Sequence, residues 1–156
     1  MNSLSNIICI AALGVAASGC ATHEVAKLEA RTTLTKAPDR AQLVLYCAGS
    51  GDFNPLHWDQ SFDQAKQIGD NIVHGRMKWS TLGQVVSDWV GASGWVKSVS
   101  CQYRGMDMQG TEWLAKGVVT AKREEGGLKI VDVDVWTENG AGQKTTPGKA
   151  TVILNA

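Results

Sequence analysis

The pattern of apolar and polar positions divides the chain into a helical part and a strand part. Leu82, Val85, Val86, Trp89 and Val90 fall at the i, i+3, i+4, i+7, i+8 spacing of one helical face. That spacing predicts a long helix over 76–90, stopped at Gly91, with Met77 and Trp79 widening its buried surface. Ahead of it, Pro38-Asp39 marks a helix start with Asp39 as N-cap. A short helix follows over 40–48 and stops at Gly49, and a second covers 60–68 and ends near Gly69. Beyond Gly94 the period falls to two. Val99, Cys101 and Tyr103 alternate with polar neighbours, and Gly105 and Gly110 bound a loop. Residues 113–122 read as a strand, turned by Glu124-Glu125-Gly126-Gly127. Val131, Val133 and Val135 alternate with Asp132, Asp134 and Trp136, the pattern of a half-buried strand. Asn139-Gly140 signals a hairpin, and 151–154 forms a last strand. Short helices, one long apolar helix and then a run of antiparallel strands make an α+β fold, with the helix packed on one sheet face.

Composition sharpens this picture without redirecting it. The 156 residues fit one domain on the usual prior of ~100–200 residues per domain. Fifteen Lys+Arg balance fifteen Asp+Glu, with no basic run, so the electrostatic footprint of a nucleic-acid binder is missing. A hydrophobic share of 44% excludes a disordered chain. Cys9, Cys20, Cys47 and Cys101 show no CxxC spacing, which argues against a zinc ribbon or a thioredoxin-type site. Cys47 and Cys101 could be bridged, but isolated cysteines of this kind are mostly small buried apolar residues. The six tryptophans read as core and interface packing.

The first residues stand apart. Residues 1–23 contain no Lys, Arg, Asp or Glu, and 7–17 form an apolar run of signal-peptide length. Ala17-Ser18-Gly19-Cys20 resembles a lipoprotein cleavage box, although a basic segment ahead of the run is missing. Residues 1–21 therefore read either as a lipoprotein leader or as an extension from a misassigned start.

Candidate chemistry concentrates between the short helices and the long one. Asp52 precedes His57 by five residues, with Asn54-Pro55 between them. An Asn-Pro turn folds the chain back so that a carboxylate and an imidazole can face one space, where the carboxylate tunes the imidazole for acid/base work. Asn54 could orient either group or hold a water. The bland reading is equally physical, because Asp and Asn are ordinary turn residues. His74-Gly75 opens the long helix, whose first N–H groups lack partners and sit at the positive end of the dipole. Gly75 lets a substrate carbonyl approach its N–H closely, a workable oxyanion site; alternatively it merely permits a tight turn, with His74 packed in the core. No HxH or HExxH spacing supports a metal on Asp52, His57 and His74, and neither a phosphate loop nor a GxSxG elbow is present. No metal or cofactor is expected.

The segment Tyr46-Cys47-Ala48-Gly49-Ser50-Gly51-Asp52-Phe53-Asn54-Pro55-Leu56-His57 resembles the hydratase signature of the MaoC-like dehydratases, which include the (R)-specific enoyl-CoA hydratases. Ile72-Val73-His74-Gly75 resembles that family's second motif, and the similarity runs from about Val25 through Thr146–Val152. The resemblance implies a hot-dog fold over 22–156, a long central helix wrapped by a curved antiparallel sheet, usually paired as a homodimer. It implies reversible syn hydration of trans-2-enoyl thioesters to (R)-3-hydroxyacyl thioesters, on coenzyme A or acyl carrier protein. Asp52 and His57 then form the catalytic dyad, Asn54 belongs to their polar cluster, and Gly75 N–H donates to the thioester oxygen. His74 and Arg76 join Gly75 on the substrate side. Two positions depart from the family pattern. Arg76 replaces a usually apolar residue, and would either salt-bridge a surface acid or reach a carrier-arm phosphate. Gly83 stands about where some enoyl-CoA hydratases place a serine that supports the aspartate. Such thioesters are cytoplasmic, so the cytoplasm is expected; the alternative is an exported protein anchored to a membrane through a lipidated Cys20. Fold alone leaves two other functions open, a non-catalytic acyl-thioester-binding subunit and a thioesterase.

Overall fold

A computed structural model describes residues 33–155. The leader at 1–21, with Cys9 and Cys20, lies outside the described residues. Five antiparallel strands form one curled sheet in the order β1-β3-β4-β5-β2. They are β1 (Thr33–Lys36), β2 (Gly94–Cys101), β3 (Trp113–Glu125), β4 (Leu128–Asn139) and β5 (Lys144–Leu154). Helix α1 (Arg40–Ser50) and the short α2 (Asp63–Ile68) precede the long α3 (Gly75–Val90), which lies against the sheet and touches every strand. This is the hot-dog architecture.

Each element follows from local chemistry, with informative departures. Asp39 caps α1 as expected: its carboxylate accepts from Gln42 N–H, and the Gln42 side chain returns the bond to Asp39 N–H. The helix runs past Gly49 and ends at Gly51, whose left-handed φ of 73° lets its N–H reach Cys47 O. Valines 131, 133 and 135 point to α3 and are buried, whereas Asp132, Asp134 and Trp136 line the outer face. The β3–β4 hairpin turns at Gly126-Gly127, so β3 extends three residues beyond the expected 122. Strand β5 begins at Lys144 rather than 151 because Pro147-Gly148 does not break it. Pro147 still offers its carbonyl to Gln102 N–H at 2.9 Å, and Gly148 is needed because a Cβ there would lie 2.3 Å from Ser100 O.

Helix α3 contributes Leu82, Val85, Val86 and Val90 to the core, joined by Leu43 of α1, Trp113 and Ala115 of β3, and Ala150 and Val152 of β5. The expectation for Trp79 is corrected. Its ring is 44% exposed, with Nε1–H donating to Val99 O, and the buried neighbour is Lys78, at 2%. Tryptophans 58 and 95 are likewise exposed, so only Trp113 is a fully buried core residue of its type. Cys47 and Cys101 are both free thiols. No helix among the described residues is long and apolar enough to cross a membrane.

Candidate active site

The turn after α1 is built by short polar side chains acting on backbone. Asn54 N–H reaches Asp52 Oδ1 at 3.4 Å, and Asn54 Oδ1 accepts from Leu56 N–H at 3.1 Å. The latter bond caps one 3₁₀ turn over Pro55–His57, a regular element inside a segment that reads as irregular. Asn54 is therefore occupied in shaping the turn. The turn swings His57 back over Asp52, and His57 Nε2 stands 3.9 Å from Asp52 Oδ2. That is too long for a direct hydrogen bond and short enough for one water to bond both groups.

The orientation of His57 is fixed from behind. Its Nδ1 lies 2.8 Å from Ile72 O, and since a carbonyl can only accept, Nδ1 carries the proton. In the neutral ring Nε2 is then a lone pair facing Asp52, as a general base requires. Ile72 itself is held by its N–H to Leu56 O at 3.3 Å, and Asn71 Nδ2 reaches the same oxygen at 3.0 Å.

His74 lies beneath this pair. It is fully buried, and its ring stacks on His57 with centroids 3.8 Å apart. Its Nε2 contacts Asp52 O at 3.2 Å and Cys47 Sγ at 3.4 Å, while Nδ1 has no partner. Burial first, and the His57 ring second, hold His74 below the ordinary histidine range against weaker opposing pulls from Asp52. Its full burial under the His57 ring matches the alternative reading of a packed core histidine. Burial, then the Asp52 charge, push the Cys47 thiol upward, so it stays a packing group.

The donor atoms of Asp52, His57 and His74 lie within 4.8 Å of one another, although their spacing matches no metal motif. They fit a metal poorly. The two rings are only 21° from parallel, and lone pairs in such planes do not converge on an ion about 2.0 Å from each nitrogen.

Gly75 begins α3 directly, one residue earlier than the spacing predicts. No carbonyl among the described residues takes its N–H, as the first turn of a helix dictates. The Tyr103 ring lies against it: a Cβ on Gly75 would be 3.1 Å from Tyr103 Cε1. Arg76 extends into solvent beside it, near enough to Tyr103 to oppose the upward pull that burial and Cys101 exert on the phenol. Arg76 has no acidic ion-pair partner among the described residues. It also sits at the positive end of the helix dipole, where an unpaired cation is unfavourable.

A carboxylate, a base of fixed tautomer and a free helix N–H thus share one corner of the fold. The sequence profile described as the MaoC like domain matches residues 19–140. The chain belongs to the MaoC-like family. An (R)-specific enoyl-CoA hydratase from Aeromonas caviae is 29% identical to this MaoC-like chain over 125 residues, 80% of this chain and 92% of that protein. The solved A. caviae (R)-hydratase, described as involved in PHA biosynthesis, superposes with a TM-score of 0.71 at 26% identity, covering 79% of this chain and 92% of that one. An R-hydratase from Pseudomonas aeruginosa superposes at 0.65 and 21% identity, over 78% of this chain and 77% of that one, and shares the fold.

The sequence reading missed Lys78 and Asp107. Lys78 Nζ donates to Asp107 Oδ2 at 2.9 Å, and both residues are buried within the fold. One signal was available for Lys78, a charge four residues before Leu82 on the apolar stripe. Asp107 carries no local signal.

Proposed function

We propose that this MaoC-like protein is an (R)-specific hydratase/dehydratase acting reversibly on trans-2-enoyl and (R)-3-hydroxyacyl thioesters. One observation carries the reading: His57 Nε2, made a lone pair by the Ile72 carbonyl, faces Asp52 Oδ2 across 3.9 Å. In the hydration direction a water bridges the two. His57 Nε2 takes one proton from it while Asp52 accepts a hydrogen bond from the other O–H and stabilises the imidazolium. The hydroxide adds to the β-carbon. Negative charge moves to the thioester oxygen, where Gly75 N–H stabilises the enolate more than the ground state. The imidazolium then returns its proton to the α-carbon from the same face, giving syn addition and restoring neutral His57. Asn54 positions the turn, and His74 supports the ring from below.

Arg76, exposed and without an acidic partner among the described residues, suits a phosphate of the carrier arm, from coenzyme A or acyl carrier protein. The outer edge of β2 is unpaired among the described residues and carries Trp95, 52% exposed, which supports pairing with a second copy as a homodimer. A cytoplasmic location follows from the thioester substrate. The test is hydration of crotonyl-CoA, followed as loss of enoyl absorbance. Asp52→Asn and His57→Ala should each lower kcat by ~10²–10⁴-fold, the scale for losing a general acid/base group, with the fold retained. Wild-type rates in the folded variants would refute the assignment.

A further inference from the structure

The helix face that buries Leu82, Val85 and Val86 also buries Lys78, at 2% exposure, against Asp107 at 3%. Lys78 Nζ donates to Asp107 Oδ2 at 2.9 Å and to Gly105 O at 2.8 Å. Thr145 Oγ1 donates to the same carboxylate oxygen at 2.7 Å, and so accepts from Thr137 Oγ1 at 2.8 Å. Asp107 Oδ1 has no partner. Such a network is a costly way to fill a core, because desolvating two charges offsets most of their attraction, and an apolar pair of similar size usually packs as stably. Its place in the chain supplies a reason for it.

Asp107 lies in the loop between β2 and β3, and that loop is laced to the segment backing His57. Val73 N–H donates to Asp107 O at 2.8 Å, Gln109 N–H donates to Asn71 O at 3.0 Å, and Ile72 bridges Met108 between them. On its other side the same segment receives the His57 Nδ1–H bond at Ile72 O. A second branch starts from Gly105, whose carbonyl Lys78 grips. Arg104 and Gly105 N–H both donate to Thr145 O at 2.9 Å, which anchors the stretch leading to Tyr103 and its ring over Gly75. One buried ammonium on the first turns of α3 therefore ties together the backing of the base and the cover of the helix N–H.

We propose that Lys78 and Asp107 are positioning residues for the reaction: their buried pair fixes the Ile72 carbonyl that sets the His57 tautomer, and holds Tyr103 against Gly75. The proposal rests on the hydratase reading for its effect on rate, but not for its effect on the tautomer. Lys78→Met alone would leave Asp107 buried and unpaired, so the variant to make is Lys78→Met/Asp107→Leu, which removes both charges. Thr145→Val, which deletes one arm of the network, provides a milder second case. The full-length protein is assayed for kcat and KM on crotonyl-CoA, and the imidazole nitrogens of His57 are observed by 15N NMR.

The double variant should fold and keep KM within about threefold, while kcat falls ~10–100-fold, as expected for a misplaced base. The spectrum should lose the pure Nδ1–H form and show a mixture of tautomers. Thr145→Val should move both readouts in the same direction by a smaller amount, and it decides the matter if the double variant does not fold. Wild-type kcat with an unshifted tautomer would overturn the proposal, and so would a rate loss that only tracks the unfolded fraction. If the unmodified protein hydrates no enoyl thioester, the hydratase reading fails, and the tautomer spectra alone decide the positioning role.

Discussion

The two halves of helix α3 press on the same sheet with opposite chemistry. From Leu82 onward the buried face is Leu82, Val85, Val86 and Val90, an apolar stripe against the β3, β4 and β5 side chains. Before Leu82 the buried positions are Lys78 and Thr81, preceded by His74 at the N-cap. The second half does what core residues do, removing apolar surface from water at about 25 cal/mol per Å². The first half spends stability on groups whose directions matter: a lysine that holds a loop, a histidine that supports another histidine, and a glycine with a free N–H. Stability and site geometry are therefore separable along one helix, and variants in each half should fail differently.

The largest effect on stability should come from the apolar half. Leu82 is fully buried in the core, and Leu82→Ala should cost about 2–5 kcal/mol from lost transfer energy plus the cavity left behind. Urea unfolding measures the loss. The rate constant per folded molecule should stay close to wild type, because Leu82 contributes apolar packing and takes no part in the side-chain hydrogen bonds that hold His57. A specific rate that falls together with stability would erase the distinction between the halves.

How much of this was legible depends on range. The 3.6-residue period is a local property, and it located α3 within one residue of its start. Alternation along 131–136 and the Gly126-Gly127 and Asn139-Gly140 turns are local too, and so the hairpins were readable. Asp52, Asn54 and His57 sit in one turn, and their grouping could be argued from spacing before the family resemblance was added. Strand β1 was missed because its four residues offer only Leu34 as an apolar signal and it gains strand character from pairing with β3. Trp79 was placed inside by hydrophobicity, and Lys78 was passed over. The structure exposes Trp79 and buries Lys78, which Asp107, 29 residues further on, pairs in the core. The His57 tautomer also depends on a distant carbonyl, 15 residues along the chain. Local patterns gave the elements and the grouping of Asp52, Asn54 and His57, whereas the groups that orient His57 are set by long-range contacts.

A smaller, pH-dependent effect should mark the polar half. His74 is held below the ordinary histidine range, chiefly by burial, while in the unfolded chain it protonates near pH 6.5, to within about half a unit. The unfolded state therefore binds more protons below that pH, and stability falls as pH drops. The His74 contribution is fully present above about 6.5 and declines as pH falls toward the lowered native value, where the dependence levels off. His74→Phe keeps a ring under His57 but cannot titrate. Denaturation at about pH 5 and about pH 8 should show a smaller difference in the variant than in the wild type. Equal differences would mean that His74 is not held neutral, and a variant in the apolar half should leave this slope untouched.

The smallest effect tests the seam between the halves. Gly83 lies within α3, immediately after Leu82, and a Cβ built on it meets nothing within 4 Å. Glycine in a helix interior costs roughly 0.5–1 kcal/mol relative to alanine, through the freedom it has when unfolded. Gly83→Ala should therefore raise stability by about that amount and the melting temperature by a few degrees, roughly 2–4 °C per kcal/mol at this size. Since the added methyl would meet no group of the site, kcat for crotonyl-CoA should be unchanged. If the variant is stabilised at constant rate, the site half of α3 is already rigid, fixed by Lys78 and the loop it grips. If stability rises while the rate falls, flexibility at Gly83 is part of how the first half aligns with substrate. The halves would then be coupled through the helix backbone, and the Lys78–Asp107 pair would share its positioning role with the helix itself.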